Sequence, residues 1–364
     1  MKEYGIYIHI PFCRSRCIYC DFYSTTQPER QDQYIDELLR EIQSRCDEMP
    51  SRARTIYIGG GTPSLLSASN LQRLLQAITQ VSPLVPDAEV TIEANPDDVT
   101  PEWVESLRLT PVNRISMGVQ SFSDDRLRFL HRRHTASQVH EAIRLLRQAG
   151  YHNLSIDLIY GLPGQSLADW QEEVQQALHL EVPHISAYAL IYEEGTALFR
   201  MQEQGLVSEA DDELQLSMYH HLIDTLQEAG YEHYEISNFA LPHHYSRHNS
   251  SYWTLMPYIG LGRGAHSYDG NRRRSWTLPD GSRQQEELTA TDLQTEQIML
   301  SLRTAQGLSL TQYEQRFGTD ALAMLLRQAK PHLSNGNLQK TGETLRLTRQ
   351  SLFISDSVIS DLLP

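Results

Sequence analysis

Gly5-Ile6-Tyr7-Ile8-His9-Ile10-Pro11-Phe12-Cys13-Arg14-Ser15-Arg16-Cys17-Ile18-Tyr19-Cys20 is the stretch from which the fold is read. Its first six residues alternate isoleucine with tyrosine and histidine, a strand pattern that Pro11 ends. Three cysteines follow within eight positions, directly at the carboxyl end of that strand. A disulfide framework spreads its cysteines through a small secreted chain, whereas this chain has 364 residues and only four cysteines. The loop therefore reads as metal ligation in a reducing cytoplasm. Three thiolates can hold three irons of a [4Fe–4S] cluster and leave the fourth iron open to a chelating ligand. The same residues also suit a zinc ion with His9 as fourth ligand. Cys46 stands apart, on a helix expected over 31–47, and reads as a buried, unpaired thiol.

Outward from this stretch, the rhythm of strand, polar loop and helix recurs. Strand-like segments fall at 5–10, 55–58, 89–94, 114–119, 154–159 and 184–190. Helical patterns lie between and after them, at 34–45, 71–81, 102–109, 136–149, 167–180 and 209–229. In the fourth, Val139, Ala142, Ile143 and Leu146 recur three or four apart, and Gly150 supplies the stop. Six such units predict an α/β fold with a parallel sheet, because each strand must cross over through a helix to pair in the same direction. An open doubly wound sheet and a complete or partial barrel both satisfy the pattern. After about Tyr231 the chain turns rich in aromatic, His, Asn, Gly and Pro residues. From Asp292 onward, helices over 295–303, 310–317 and 321–328 precede a hairpin expected over 345–355, the outline of a small winged-helix-like α+β module. The domain division that follows is 1–231, 232–290 and 291–364.

Composition narrows the function. Hydrophobic residues make up 40% and charged residues 21%, which argues against a disordered or membrane-spanning chain. The longest apolar stretches are strand-sized, and the first ten residues lack the pattern of a secretory signal. The net charge of −15 disfavours a nucleic-acid partner, and Arg272-Arg273-Arg274 is too short a basic run to reverse that.

Polar groups gather at the predicted carboxyl ends of the strands, where parallel α/β folds bind ligands. Gly59-Gly60-Gly61-Thr62-Pro63 follows the second strand and lets backbone groups approach a ligand closely. Glu93-Ala94-Asn95-Pro96 ends the third, Gln120 ends the fourth, and Asp157 lies in the fifth. Further on, His248-Asn249-Ser250-Ser251-Tyr252-Trp253 joins an imidazole, a standard axial ligand of haem iron, to two flat aromatic faces. His243 and His244 are rival ligands, and Gly260-Leu261-Gly262-Arg263-Gly264-Ala265-His266 reads either as the rim of a cavity or as a packed turn.

Together, Ile8-His9-Ile10-Pro11-Phe12, the Cys-x3-Cys-x2-Cys loop, Gly-Gly-Gly-Thr-Pro, the Ile115–Phe122 run and Asp157 to Pro163 resemble the coproporphyrinogen-oxidase-like branch of the radical S-adenosylmethionine (SAM) superfamily. The resemblance runs from about Tyr4 through His266 and more loosely through the C-terminal module. It implies a partial (β/α)6 TIM-like barrel, with Cys13, Cys17 and Cys20 on a [4Fe–4S] cluster and SAM chelating the open iron. It also implies SAM contacts at Tyr7, Tyr19, Gly60, Gly61, Thr62, Glu93, Gln120, Arg132 and Asp157. Glu93 and Asp157 suit ammonium or ribose hydroxyls, and Arg132 suits a carboxylate.

Within that branch stand oxygen-independent coproporphyrinogen III oxidases, which decarboxylate porphyrinogen propionates, and haem chaperones. The oxidases typically carry a further cysteine two residues after the third ligand, where this chain has Phe22, and a longer segment before the cluster. The chaperones carry His-Asn-x-x-Tyr-Trp, which is intact here. The resemblance thus implies haem as a third cofactor, with His248 as its ligand. The implied partners are acceptor haemoproteins and an electron donor. It leaves room for peripheral contact with a membrane, and it points to a cytoplasmic protein without oxidase activity.

Overall fold

A computed structural model describes residues 3–364. Six parallel strands form its centre: β1 (Glu3–Ile10), β2 (Arg52–Gly60), β3 (Leu84–Ala94), β4 (Arg114–Gln120), β5 (Leu154–Tyr160) and β6 (His184–Ala189). They pair in chain order, each with the next, and β1 does not pair with β6. The architecture is therefore a partial (β/α)6 barrel.

Alternation along the strands gives this sheet two unlike faces. Ile6, Ile8, Ile10, Ile56, Ile58, Ile92, Ile115, Ile156 and Leu158 are fully or almost fully buried and pack against the helices outside. The intervening positions point inward and are mostly polar: Tyr7, His9, Tyr57, Glu93, Arg114, Ser116, Asp157 and Ser186. The inner face is thus built to meet a ligand.

Residues 232–287 are woven into both edges of this sheet. β7 (Glu232–Glu235) and β8 (Asn238–Ala240) join beyond β6, where β8 runs antiparallel to it. β9 (Tyr258–Leu261) pairs parallel with β1 at the opposite edge. β10 (His266–Tyr268), β11 (Arg273–Thr277) and β12 (Arg283–Glu287) extend that edge. Arg274 is committed there to Glu286 and Glu296, while Arg272 and Arg273 are exposed.

The C-terminal module has its own core, centred on Ile298, Leu302, Leu310, Tyr313, Leu325 and Leu345. Its three-stranded sheet places β15 (Thr344–Leu347) between β13 (Leu308–Ser309) and β14 (Leu338–Thr341), in a winged-helix-like arrangement. The hairpin expected over 345–355 lies one strand earlier. β14 is polar and mostly exposed after Leu338, so it carries no apolar alternation, and residues 352–354 form a turn that leads into a helix at Ser355.

Cys46 is exposed, which corrects the expected buried thiol. The helix Gln31–Ser44 buries Tyr34, Ile35, Leu38 and Ile42. The next inward position on that stripe is Arg45, which turns Cys46 outward. The buried Arg45 guanidinium donates to the Gly260 carbonyl at 2.7 Å and to Glu41 at 2.6 Å, tying the helix to β9.

Arg45→Ala should therefore lower unfolding free energy by about 3 kcal/mol, because it strands a buried carbonyl and breaks a largely buried ion pair. Cys46→Ser should stay within about 0.5 kcal/mol of wild type. Urea denaturation of both variants checks this, and equal effects would contradict the assignment.

Candidate functional site

The cysteine loop is held at both ends by backbone pairing. Cys13 N–H donates to the Thr25 carbonyl at 2.9 Å, and Thr25 N–H returns to Pro11 at 2.7 Å. Its middle is fixed by Ile18, buried among Leu130, Ile159, Leu162, Leu190 and Leu198. Ile18 N–H also reaches the Leu130 carbonyl, and Leu198 N–H reaches the Ile18 carbonyl. A single apolar side chain between the second and third cysteines thus seats the loop on the barrel rim.

Cys13, Cys17 and Cys20 border one cavity of about 450 Å3 at the carboxyl ends of the strands. Tyr19, Gly60, Gly61, Thr62, Glu93, Gln120, Arg132 and Asp157 line the same cavity. Thr62 Oγ1 lies 3.6 Å from Cys13 Sγ, and Arg132 Nη1 lies 3.6 Å from Cys17 Sγ. Arg132 also donates to Asn95 Oδ1 and, at 2.5 Å, to the Gly118 carbonyl. A Cβ at Gly118 would stand 3.0 Å from Gln120 and 3.1 Å from Arg132, so glycine is what lets both side chains share that corner. At Gly61 a Cβ would stand 2.8 Å from the Phe12 carbonyl and 3.0 Å from Cys13 Sγ. The cysteine loop therefore closes against bare backbone.

Zinc is not favoured here. Among the described residues no three His, Cys, Asp or Glu side chains come together as ligands of one metal ion. His9, the expected fourth ligand, has both nitrogens engaged, by the Tyr7 hydroxyl at 3.0 Å and the Tyr23 carbonyl at 2.8 Å. Thiolates that each hold a different iron of one cluster stand farther apart than ligands of a single ion. Three cysteines spaced around a shared cavity fit the cluster. Burial pushes the Cys13 thiol up and that of Cys20 to about 11, so both need a metal or a cation to hold them as thiolates.

The carboxylates at the bottom are also perturbed. Burial raises Glu93 to about 7, and the nearby Asp157 charge adds to this; donors from Tyr57 at 2.8 Å and from Gly60 N–H at 3.0 Å oppose it. Burial raises Asp157 to about 6 against a hydrogen bond from Ser186 and the charges of Arg114 and Arg132. A cationic ligand would favour both in the ionised form.

Arg114, read from sequence only as the first residue of a strand, also lines the cavity. It is 1% exposed, and its Nε and Nη1 find no hydrogen-bond partner among the described residues. The only signal for it was an arginine opening an otherwise apolar strand. Tyr57, Ser186 and Tyr188 also line the cavity with no sequence signal of their own, and Asn95 and Asn249 join them as members of motifs read for their neighbours. The first three lie in strands, where single polar residues have no pattern.

Two expected contacts lie elsewhere. Tyr7 faces a second crevice and pairs with His9. His248 is 1% exposed and borders neither space. The helix Arg247–Trp253 inserts its first turn against Glu89, whose carboxylate accepts from Arg247 N–H at 3.1 Å and His248 N–H at 3.0 Å. That insertion buries the imidazole, with Nδ1 2.7 Å from Thr55 Oγ1 and Nε2 2.8 Å from the Tyr252 hydroxyl. Burial and the charge of Arg114 bring its pKa down to about 3, so it is neutral. With both nitrogens occupied, His248 offers iron no free ligand atom in this arrangement. Instead it stacks under Tyr57, with ring centroids 5.2 Å apart, and so supports the hydroxyl that holds Glu93. His243 is exposed and borders neither space.

Comparison with known proteins follows the same outline. Residues 7–177 match the radical SAM superfamily and residues 288–354 the HemN C-terminal domain. A protein of Lactococcus lactis called heme chaperone HemW is 37% identical over 100% of this chain and 98% of its own length. The Bacillus subtilis protein of that name is 33% identical over 98% of each chain. The solved structure of Escherichia coli coproporphyrinogen III oxidase, HemN, superposes with a TM-score of 0.85 over 99% of this chain and 90% of that one, at 22% identity. At that identity the likeness shows the fold alone.

The raised carboxylates set a pH dependence. Both are neutral in the folded and unfolded chain below about pH 3; as pH climbs from about 4 towards 7, the unfolded chain ionises first while the folded chain resists. The ligand-free protein should therefore lose thermal stability from these groups between about pH 4 and 7. Glu93→Gln and Asp157→Asn should flatten that slope in melting curves. An unchanged slope in both would mean that neither carboxyl is raised.

Proposed function

This chain belongs to the radical SAM superfamily and, within it, to the family of the HemW relatives, and from that premise we propose that it binds haem and passes it to acceptor haemoproteins. One observation carries the reading: proteins called heme chaperone HemW match it end to end at 33–37% identity. Membership implies a [4Fe–4S] cluster and SAM. Cys13, Cys17 and Cys20 would hold three irons of that cluster, and the methionyl end of SAM would take the fourth. Gly60, Gly61, Thr62, Glu93, Gln120, Arg132, Asp157 and Tyr19 would surround SAM, because they line the cavity that the cysteines border. The cluster, when bound, supplies an electron to SAM.

What the chain's own residues do there is bind and orient. Glu93, held by Tyr57 and Gly60, would accept from the SAM ammonium or ribose. Arg132, fixed by Asn95 and Gly118, would set a positive charge beside the Cys17 thiolate. Asp157 would accept a ribose hydroxyl. Tyr7 would meet SAM from the second crevice, which its ring lines and where its phenol pairs with His9.

The oxidase is the second reading, resting on the HemN fold. Phe22 argues against it, since it stands where the oxidases typically carry a further cysteine and is 64% exposed on the cavity rim. No described helix is long and apolar enough to cross a membrane.

Anaerobically reconstituted protein, given haem and coproporphyrinogen III in separate assays, decides between them. The expected result is a shifted Soret band with haem, and no carbon dioxide above background from the porphyrinogen with SAM and reductant. Sustained decarboxylation would overturn the reading. Serine at Cys13, Cys17 or Cys20 should abolish the cluster absorbance, because a hydroxyl is a poor substitute for thiolate on iron, while Cys46→Ser should leave it intact.

A further inference from the structure

The second crevice, of about 320 Å3, opens beside the cysteine cavity on the β1–β9 side of the sheet. Its walls are largely aromatic: Phe22, Tyr23, Tyr252 and Tyr258 line it together with His9 and His266. Tyr252 and Tyr258 meet edge to face, with ring centroids 4.6 Å apart. Phe22 borders both spaces and is 64% exposed, a large apolar ring left uncovered at their junction. The two histidines differ in availability. Both nitrogens of His9 are occupied, whereas His266 is exposed and no hydrogen bond engages its ring among the described residues. His266 begins β10, which is paired to β11, and its ring lies over Trp276 at 6.0 Å and 21°. The imidazole thus has a fixed backbone, a rigid backing and a free ligand atom.

The geometry points to this crevice as the seat of the haem, with His266 as the axial ligand and the aromatic rings against the macrocycle; the assignment rests on the haem reading above. A metalloporphyrin needs a flat apolar surface and a neutral nitrogen donor, and the crevice presents both. The bond is a coordinate one, from the ring nitrogen's lone pair to the iron, and needs no co-reactant. The crevice opens to solvent, so one edge of the haem would stay exposed. A carrier needs that edge, since an enclosed cofactor could not be handed on without unfolding its site. His-Asn-x-x-Tyr-Trp contributes Tyr252 to the wall, while its histidine supports the cysteine cavity from below. The motif therefore touches both sites without its imidazole meeting iron. The competing occupant is the adenine of SAM, another flat ring.

Haemin titration of the full-length protein, followed by absorbance and resonance Raman, tests this. His266→Ala should weaken haemin binding about tenfold or more and shift the Soret band, and added free imidazole should restore the wild-type spectrum. His266→Met should bind with a distinct spectrum, since it keeps a ligand of another kind. Phe22→Ala should weaken binding severalfold with the axial signature unchanged. SAM affinity should be the same in both His266 variants, because His266 does not line the cysteine cavity. Wild-type haem binding that His266→Ala leaves unaltered would overturn the assignment and spare the chaperone reading. A wild-type protein that binds no haem would overturn both. Loss of SAM affinity in His266→Ala with haem binding intact would give the crevice to SAM and overturn the assignment.

Discussion

The parallel register of β1 with β2 is the constraint on which the rest of the site depends. It sets Tyr7 opposite Tyr57, His9 opposite Gly59 and Ile10 opposite Gly60. Where the ladder ends, Gly61 N–H still donates to the Ile10 carbonyl at 2.8 Å. The two loops that follow, one of cysteines and one of glycines, thus leave the sheet side by side. A shift of one residue would turn Tyr57 to the helices and Ile56 to the cavity, because side chains alternate across a strand. The apolar layer would be lost together with the ligand site, so the core and the chemistry select the same register.

Within the barrel, charge is arranged so that no group is at ease alone. Glu93 and Asp157 are pushed up by burial, Arg114 is enclosed with donors unpartnered, and Arg132 spends its hydrogen bonds on Asn95, Gly118 and a cysteine. Such an interior is unfavourable for an empty protein, since a buried donor without a partner costs about 1–3 kcal/mol. It is well suited to a ligand that carries both signs of charge. SAM, with its sulfonium, ammonium and carboxylate, is of that kind. The outer layer of isoleucine, leucine and valine supplies the stability that lets the inner face remain polar.

Much of this is legible in the residues. The six repeated units show in the periodicity, because alternation and the 3.6-residue repeat are local properties. The cysteine loop and Gly59–Thr62 show because their spacing is contiguous. Arg114 is not legible as a cavity residue, since a strand arginine has no local feature that says it is enclosed. Cys46 escapes a sequence reading because a buried cysteine and a buried arginine one position earlier differ by only about 100° around a helix.

His248 and His266 show the division most clearly. From sequence alone, the histidine beside two aromatics is the natural haem ligand, and the one in Gly260–His266 belongs to a rim or a turn. Sequence determined which chemical groups the chain has to offer, namely three clustered thiolates, two carboxylates, a glycine run, and imidazoles among aromatic rings. Tertiary structure decided which of them reach the same space. Tyr252, four positions on, takes Nε2, but whether Nδ1 is also taken and the ring buried depends on Thr55 and Glu89, which lie 193 and 159 positions away along the chain. Contacts across such separations are set by how the strands close around the helix that carries His248, and no local pattern encodes them.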